Sequence, residues 1–303
     1  MARSARPPVL STGTIIAWAA GLLLVAGASV LVLWTLFGAG DARDSVRLDA
    51  LRTAGSIVVG TGGGAALLLA ARRQQSAELG QAQSAHDATE RRVTELYSKA
   101  ADQLGSDKAP VRLAGLYALE RLAQQNPAHR QTIVHLLCAY LRMPFEPDGP
   151  AEEVQVRKAA QDVLVGHLRP GGDYWPGMEL NLAGATLIGF TMTHCAVESA
   201  RFHSARFVGH VTFRDTTFRT KADFRAAVFG GLADFRGVVT DSADASFRAA
   251  SFEEEVNFSD QATVPVIGAV TRTEHPRRRW PPGWREKTIP DRPGWAVLVP
   301  VKK

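Results

Sequence analysis

The sequence predicts three architectures in succession: two transmembrane helices, an all-α helical domain, and a short β-solenoid closed by a capping tail. Three observations carry this. No charged residue occurs between Arg6 and Asp41, a run of 34 residues. From about Ser76 to Leu168 apolar residues recur at helical spacing. From Leu182 to Phe258 large apolar residues recur every five or six positions, a period that belongs to neither a helix nor a flat strand. The boundaries fall at 1–73, 74–170, 171–260 and 261–303.

The first element is a membrane hairpin. Its first span, Thr14 to Phe37, is rich in Leu, Val, Ile and Ala and long enough to cross a bilayer core. Trp18 and Trp34 stand about 24 Å apart on a helix, which places one near each interface. The apolar core is longer than the ~7–15 residues of a secretory signal. The second span, Thr53 to Ala71, is glycine-rich and marginal in hydropathy. Gly60 and Gly64 form a small-xxx-small face that permits close helix packing in lipid. A short loop, Asp41 to Arg52, joins the two spans. The stretch Gly60-Thr-Gly62-Gly-Gly-Ala65 imitates a dinucleotide fingerprint, but no second strand or ribose-binding acid follows it. With two spans both termini share one side. The basic residues at each end favour the cytoplasm, though Arg43, Arg47 and Arg52 in the loop weaken that assignment.

The second element is helical. Val93, Leu96, Tyr97, Ala100, Ala101 and Leu104 line one face of an amphipathic helix that can continue directly from the second span. Gly105-Ser106-Asp107 ends it. Pro110 sits in the first turn of a helix through Ala123. Asn126 reads as an N-cap with Pro127 at the first position of a third helix, stopped by Pro144. A fourth begins near Glu152 and ends at Pro170-Gly171-Gly172. Short connections suggest HEAT-like pairing of helices. This domain would cover the first end of the solenoid with apolar surface and protect its strand edges.

The third element carries fourteen repeat centres: Leu182, Leu187, Met192, Val197, Phe202, Phe207, Phe213, Phe218, Phe224, Phe229, Phe235, Phe247, Phe252 and Phe258. Two positions before most of them stands a small or β-branched residue, such as Ala185, Ala200, Ala222 or Ala233. Wound as a coil, this pattern stacks large on large and small on small. Ala222-Asp223-Phe224, Ala233-Asp234-Phe235, Ala200-Arg201-Phe202 and Ala250-Ser251-Phe252 resemble the pentapeptide-repeat family, over about a quarter of the chain. The resemblance implies a right-handed, four-sided β-helix of three to four coils. At strand spacing of about 4.8 Å its length is roughly 15–20 Å. The six-residue steps are expected to form small bulges, and the twelve-residue gap from Gly237 to Ser246 is expected to loop out. With the helices before it, the chain is similar to bacterial membrane-anchored pentapeptide-repeat proteins.

The tail, 261–303, carries Arg277, Arg278, Arg279, Trp280 and Trp284. These residues read either as a cap, with the tryptophans over the last coil, or as candidate contacts to anionic lipid head groups. For nucleic acid the basic cluster is short and lacks a reading motif.

The net charge of +5 is unevenly spread. The four segments carry +4, −1, −4 and +6, so basic ends flank a mildly acidic middle. Cys138 and Cys195 lie at apolar phases and read as buried thiols rather than a disulfide framework. His194, His203 and His210 match no common metal spacing, and His129 and His135 do not share a helix face. No nucleophile elbow, P-loop or zinc helix is present, so no catalytic residue, cofactor or metal ligand is assigned. The expected function is a non-enzymatic, membrane-anchored scaffold for an unidentified protein partner, with a small-molecule substrate disfavoured. Its contacts would be the outward Arg201, Arg206, Arg214, Arg219, Arg225 and Arg236, with Asp215 and Asp223. Two alternatives stay open. One is the DNA mimicry by which some pentapeptide-repeat proteins shield topoisomerases, which needs a strongly negative rod. The other is a membrane-bound regulator using its basic tail.

Overall fold

The structure is a computed structural model. It describes residues 44–240, 245–259, 264–275 and 277–301, with scattered positions between 20 and 35. The chain forms two compact units, Met1–Glu90 and Arg91–Lys303.

Helix α1 runs unbroken from Asp44 to Leu104, so the segment expected as the hairpin loop is helical from Asp44 onward. No proline lies between Asp44 and Gly105, and the glycines, clustered at Gly60, Gly62, Gly63 and Gly64, each weaken the helix by about 1 kcal/mol without ending it. The stretch 53–71, expected as a separate span, is an internal part of α1. Among the described residues no helix is long and apolar enough to cross a membrane. Most of the 14–37 run lies outside the described residues, while Gly60 and Gly64 lie within α1, where the expected packing face falls among side chains that are not described.

In the second unit the end of α1 packs with α2 (Ala109–Gln125), α3 (Arg130–Arg142) and α4 (Ala151–Gly166). Gly105 terminates α1, its amide donating to the Ala101 carbonyl at 3.1 Å. Pro110 lies in the first turn of α2, as its missing N–H and fixed φ favour. The expected cap at Asn126 differs. Pro127 opens a single 3₁₀ turn, Pro127–His129, and Asn126 donates its carboxamide back to the Leu122 carbonyl. It therefore closes the helix before it rather than opening the one after. Leu116, Leu119, Ile133, Val134, Leu137, Val156 and Leu164 form the apolar centre. Gly115 sits where α1 and α2 touch: a Cβ there would stand 2.7 Å from the Ala100 carbonyl oxygen.

The chain then winds into a β-solenoid of about four turns, built of three sheets. The first joins β1 (Glu179–Asn181), β3 (Ala196–Arg201), β6 (Thr217–Asp223) and β10 (Ala245–Ser246), with β9 (Val239–Thr240) also on β6. The second stacks β2 (Thr186–Ile188), β4 (Arg206–Val208), β7 (Val228–Phe229), β11 (Ser251–Phe252) and β13 (Val270–Arg272). The third stacks β5 (Val211–Thr212), β8 (Ala233–Asp234), β12 (Val256–Asn257) and β14 (Arg278–Arg279). All these pairings are parallel.

Register places the centres in columns. Phe202, Phe224 and Phe247 stack with centroids 5.0 and 4.7 Å apart. Phe207, Phe229 and Phe252 follow at 4.8 and 4.7 Å, and Phe213, Phe235 and Phe258 at 5.2 and 4.7 Å. These spacings are the rung spacing of a sheet, so each ring rests on its counterpart one coil away. All fourteen centres are buried. Burial of each ring contributes about 1.5–3 kcal/mol, which makes the phenylalanine ladder the main source of cohesion.

The corners explain the other repeat positions. The carbonyl of a centre accepts the amide three residues on, as from Ala205 to Phe202 at 2.9 Å and from Ala227 to Phe224 at 3.1 Å. The residue between, two after the centre, has positive φ at His194, Ser204, Asp215, Ala226 and Ala249. That is the arrangement of a type II turn, held here without glycine because the stacked coils above and below fix it. The six-residue step from Phe218 to Phe224 is a bulge: Val197 pairs with Phe218 but Ser199 with Lys221. The twelve-residue gap, expected to loop out, holds strands at both described ends, Val239–Thr240 and Ala245–Ser246. Val239 and Thr240 pair with Thr217 and Phe218, so Thr240 occupies the missing centre, and residues 241–244 lie outside the described set.

Candidate functional site

Both ends of the solenoid are finished by specific contacts. At the first coil the Gln161 carboxamide donates to the Ile188 carbonyl at 3.0 Å and accepts its amide at 3.1 Å. Gln131 does the same to Glu179, at 2.9 and 3.0 Å. Arg169 donates to the Thr193 carbonyl at 3.1 Å, and Leu168 accepts the Ala196 amide at 2.8 Å. The expected apolar cap is therefore also polar: amide side chains of α3 and α4 replace the missing strands, because strand groups left without water or partner are costly. A stack of His167 on Trp175, at 4.0 Å, fixes the connecting loop, with His167 also bonded to Glu120 and to the Asp173 carbonyl.

At the other end the tail forms an antiparallel pair, β15 (Trp284–Thr288) and β16 (Trp295–Pro300), and β16 joins β13. Trp280 packs on Phe252 at 5.3 Å and Phe258 at 6.0 Å and donates to Glu286 at 2.8 Å. Arg278 forms a two-pronged bond to the same carboxylate, at 2.8 and 3.0 Å. Burial pushes the Glu286 carboxyl up, but these donors outweigh it and hold it below the usual glutamate range. Trp284 is partly buried against the core. Of the candidate lipid contacts, Arg277 is the one whose side chain stands out, 82% exposed and 3.9 Å from Glu255. Arg279 is exposed on β14.

The outer faces hold the charges. Arg201, Arg206, Arg214 and Arg219 are exposed. Asp223, expected as an outward contact, is instead buried. Its carboxylate accepts the Arg225 amide at 3.2 Å and the Arg225 guanidinium at 2.8 and 2.7 Å. Asp234 and Arg236 repeat this two corners on, with an amide contact of 3.1 Å. Burial raises both carboxyls, and the arginine bonds more than reverse it, leaving both below the ordinary aspartate value. Thr212 accepts the Arg214 amide in the same way. In these repeats the polar second residue is thus a local turn lock, a role its type and spacing could have indicated.

The helical domain holds a buried polar group that sequence reasoning missed. Arg157 donates to Glu153 at 2.8 Å and to the Leu141 and Met143 carbonyls at 3.1 Å, capping α3. Its guanidinium lies 4.4 Å from the Phe145 ring, and Arg112 reaches Glu153 from α2. This set fastens three helices together. Cys138 and Cys195 are buried, and burial pushes each thiol up to about 11, so neither is a thiolate at neutral pH. Among the described residues no group of His, Cys, Asp and Glu could hold a metal ion.

Comparison with protein-family models, with curated proteins and with solved structures finds no match to this chain.

Proposed function

We propose that the protein is a non-enzymatic, membrane-anchored scaffold of the pentapeptide-repeat kind, whose right-handed, four-sided β-helix presents fixed polar faces to a protein partner. The observation that carries this is the division of labour in the repeats. Large side chains are consumed in the columns, while Arg201, Arg206, Arg214 and Arg219 stand on a backbone locked by stacking. A preorganised surface loses little entropy on binding. The uncharged 7–40 run supports an anchor, and the short helix connections support HEAT-like packing. Reporter fusions after Leu51 and after Lys303 test the anchor: reporters on opposite sides agree with two spans, and both on one side with one span or none. The scaffold reading is tested by cross-linking the full chain in cells. A partner should be captured and then lost when the four exposed arginines are changed to glutamate.

The lipid-binding alternative keeps one supporting observation, the exposed Arg277 beside exposed Arg279. DNA mimicry finds less support, since arginines alternate with carboxylates on the same corners.

A further inference from the structure

We infer that the outer edge of β15 is a docking site for an extended acidic peptide segment, added as a further strand. β15 ends the second sheet, and it pairs on one side only, with β16. Two main-chain bonds flanking the pair, from Val301 to Gly283 at 2.8 Å and from Ile289 to Trp295 at 3.1 Å, fix its phase. Antiparallel bonding alternates, so Arg285 and Lys287 turn their main-chain groups toward β16. Trp284, Glu286 and Thr288 turn theirs to the open side. Among the described residues no strand or main-chain hydrogen bond reaches that side.

The side chains select the occupant. Glu286 faces inward and is held by Arg278 and Trp280, so its charge is used inside the cap. The face it leaves carries Arg285 and Lys287, both exposed, two residues apart. A strand added beside them would place alternate residues opposite these two cations, where opposite charges attract and like charges repel. Carboxylates at positions i and i+2 of the incoming segment satisfy both. A second copy of β15 does not fit, because it would set Arg285 and Lys287 against one another. Cationic edge residues keep copies apart, and the same charges admit an acidic strand by strand addition.

This deepens the scaffold reading and rests on it, but the test separates the two, since β15 lies outside the four arginines changed above. The full chain, held in a neutral detergent, is titrated into end-blocked fluorescent peptides of alternating Glu and Val, followed by anisotropy. Saturable binding is expected, about tenfold tighter than for the Lys-Val peptide, with the preference reversed in the Arg285→Glu/Lys287→Glu variant. A Glu-Val peptide N-methylated on alternate amides should lose binding in the register that faces the edge. No binding overturns the inference. So does equal binding of the methylated peptide, which would mean charge attraction without strand addition, or an unchanged preference in the double variant.

Discussion

The carboxamide of Gln161 and the main chain of Ile188 form a closed pair of hydrogen bonds, 3.0 and 3.1 Å, on the open edge of the first coil. A glutamine side chain carries the same donor and acceptor as a peptide unit, so α4 supplies one rung of a sheet that has no earlier strand. Gln161→Leu keeps the volume and leaves both Ile188 groups unpaired. The expected loss is about 1–3 kcal/mol in chemical denaturation. Gln131→Leu should cost a similar amount at Glu179. The two sites are on different faces, so the double variant should be near additive.

The Asp223–Arg225 and Asp234–Arg236 locks should make the solenoid acid-sensitive. Their carboxyls titrate below the ordinary aspartate value in the folded chain. A depressed carboxyl contributes stability that is fully present above the unfolded pKa, about 3.9, and is lost as pH falls through the folded value. The denaturation midpoint should therefore fall between pH 5 and pH 2. Asp223→Asn/Asp234→Asn keeps an acceptor for the turn amides and removes the charge. That variant should be less stable at pH 7 and show a flatter acid limb. Because both arginines are about half exposed, added salt should narrow the difference.

What the sequence made legible was what repeats. The columns of Phe202, Phe207 and Phe213 follow from period five, because each coil imposes one rule on every side chain along it. The ends were not legible, since a cap occurs once. Gln131 and Gln161 stand amid ordinary helical sequence, and only the fold brings them to Glu179 and Ile188. Thr240 was missed because a polar residue there hides the period that register reveals. The tail's cap was half legible: two tryptophans after a repeat suggest a lid, but the pairing of Arg278 with Glu286 spans a turn no motif marks. Asp223 was misplaced because an aspartate reads as outward until its arginine is seen to fold over it.

Gly115 tests the contact between α1 and α2. A Cβ there would stand 2.7 Å from the Ala100 carbonyl oxygen, 2.8 Å from the Leu104 nitrogen and 2.9 Å from the Gln103 Cβ. All three lie on the main chain of α1 or next to it, so none can swing away. In an open helix Gly→Ala would stabilise by up to about 1 kcal/mol. Here overpacking should outweigh that, with Gly115→Ala destabilising by about 1–3 kcal/mol in thermal or chemical denaturation. Gly166→Ala is the control, since nothing lies within 4 Å of its Cβ position and propensity alone should act.

Phe229 separates stacking from simple burial. It is fully buried, with Phe207 above and Phe252 below, at 4.8 and 4.7 Å and nearly parallel. Phe258 is equally buried, but its neighbour toward the tail is Trp280, tilted by 29° at 6.0 Å. Phe→Ala at either site removes the same apolar area and opens a cavity, at a cost of about 3–5 kcal/mol. The loss at Phe229 should be the larger, by about 0.5–1.5 kcal/mol, because two close parallel stacks go rather than one close stack and a looser one. Chemical denaturation of the two single variants in parallel measures the difference. Equal losses would mean that area alone sets the cohesion of the columns and that ring alignment contributes nothing beyond it.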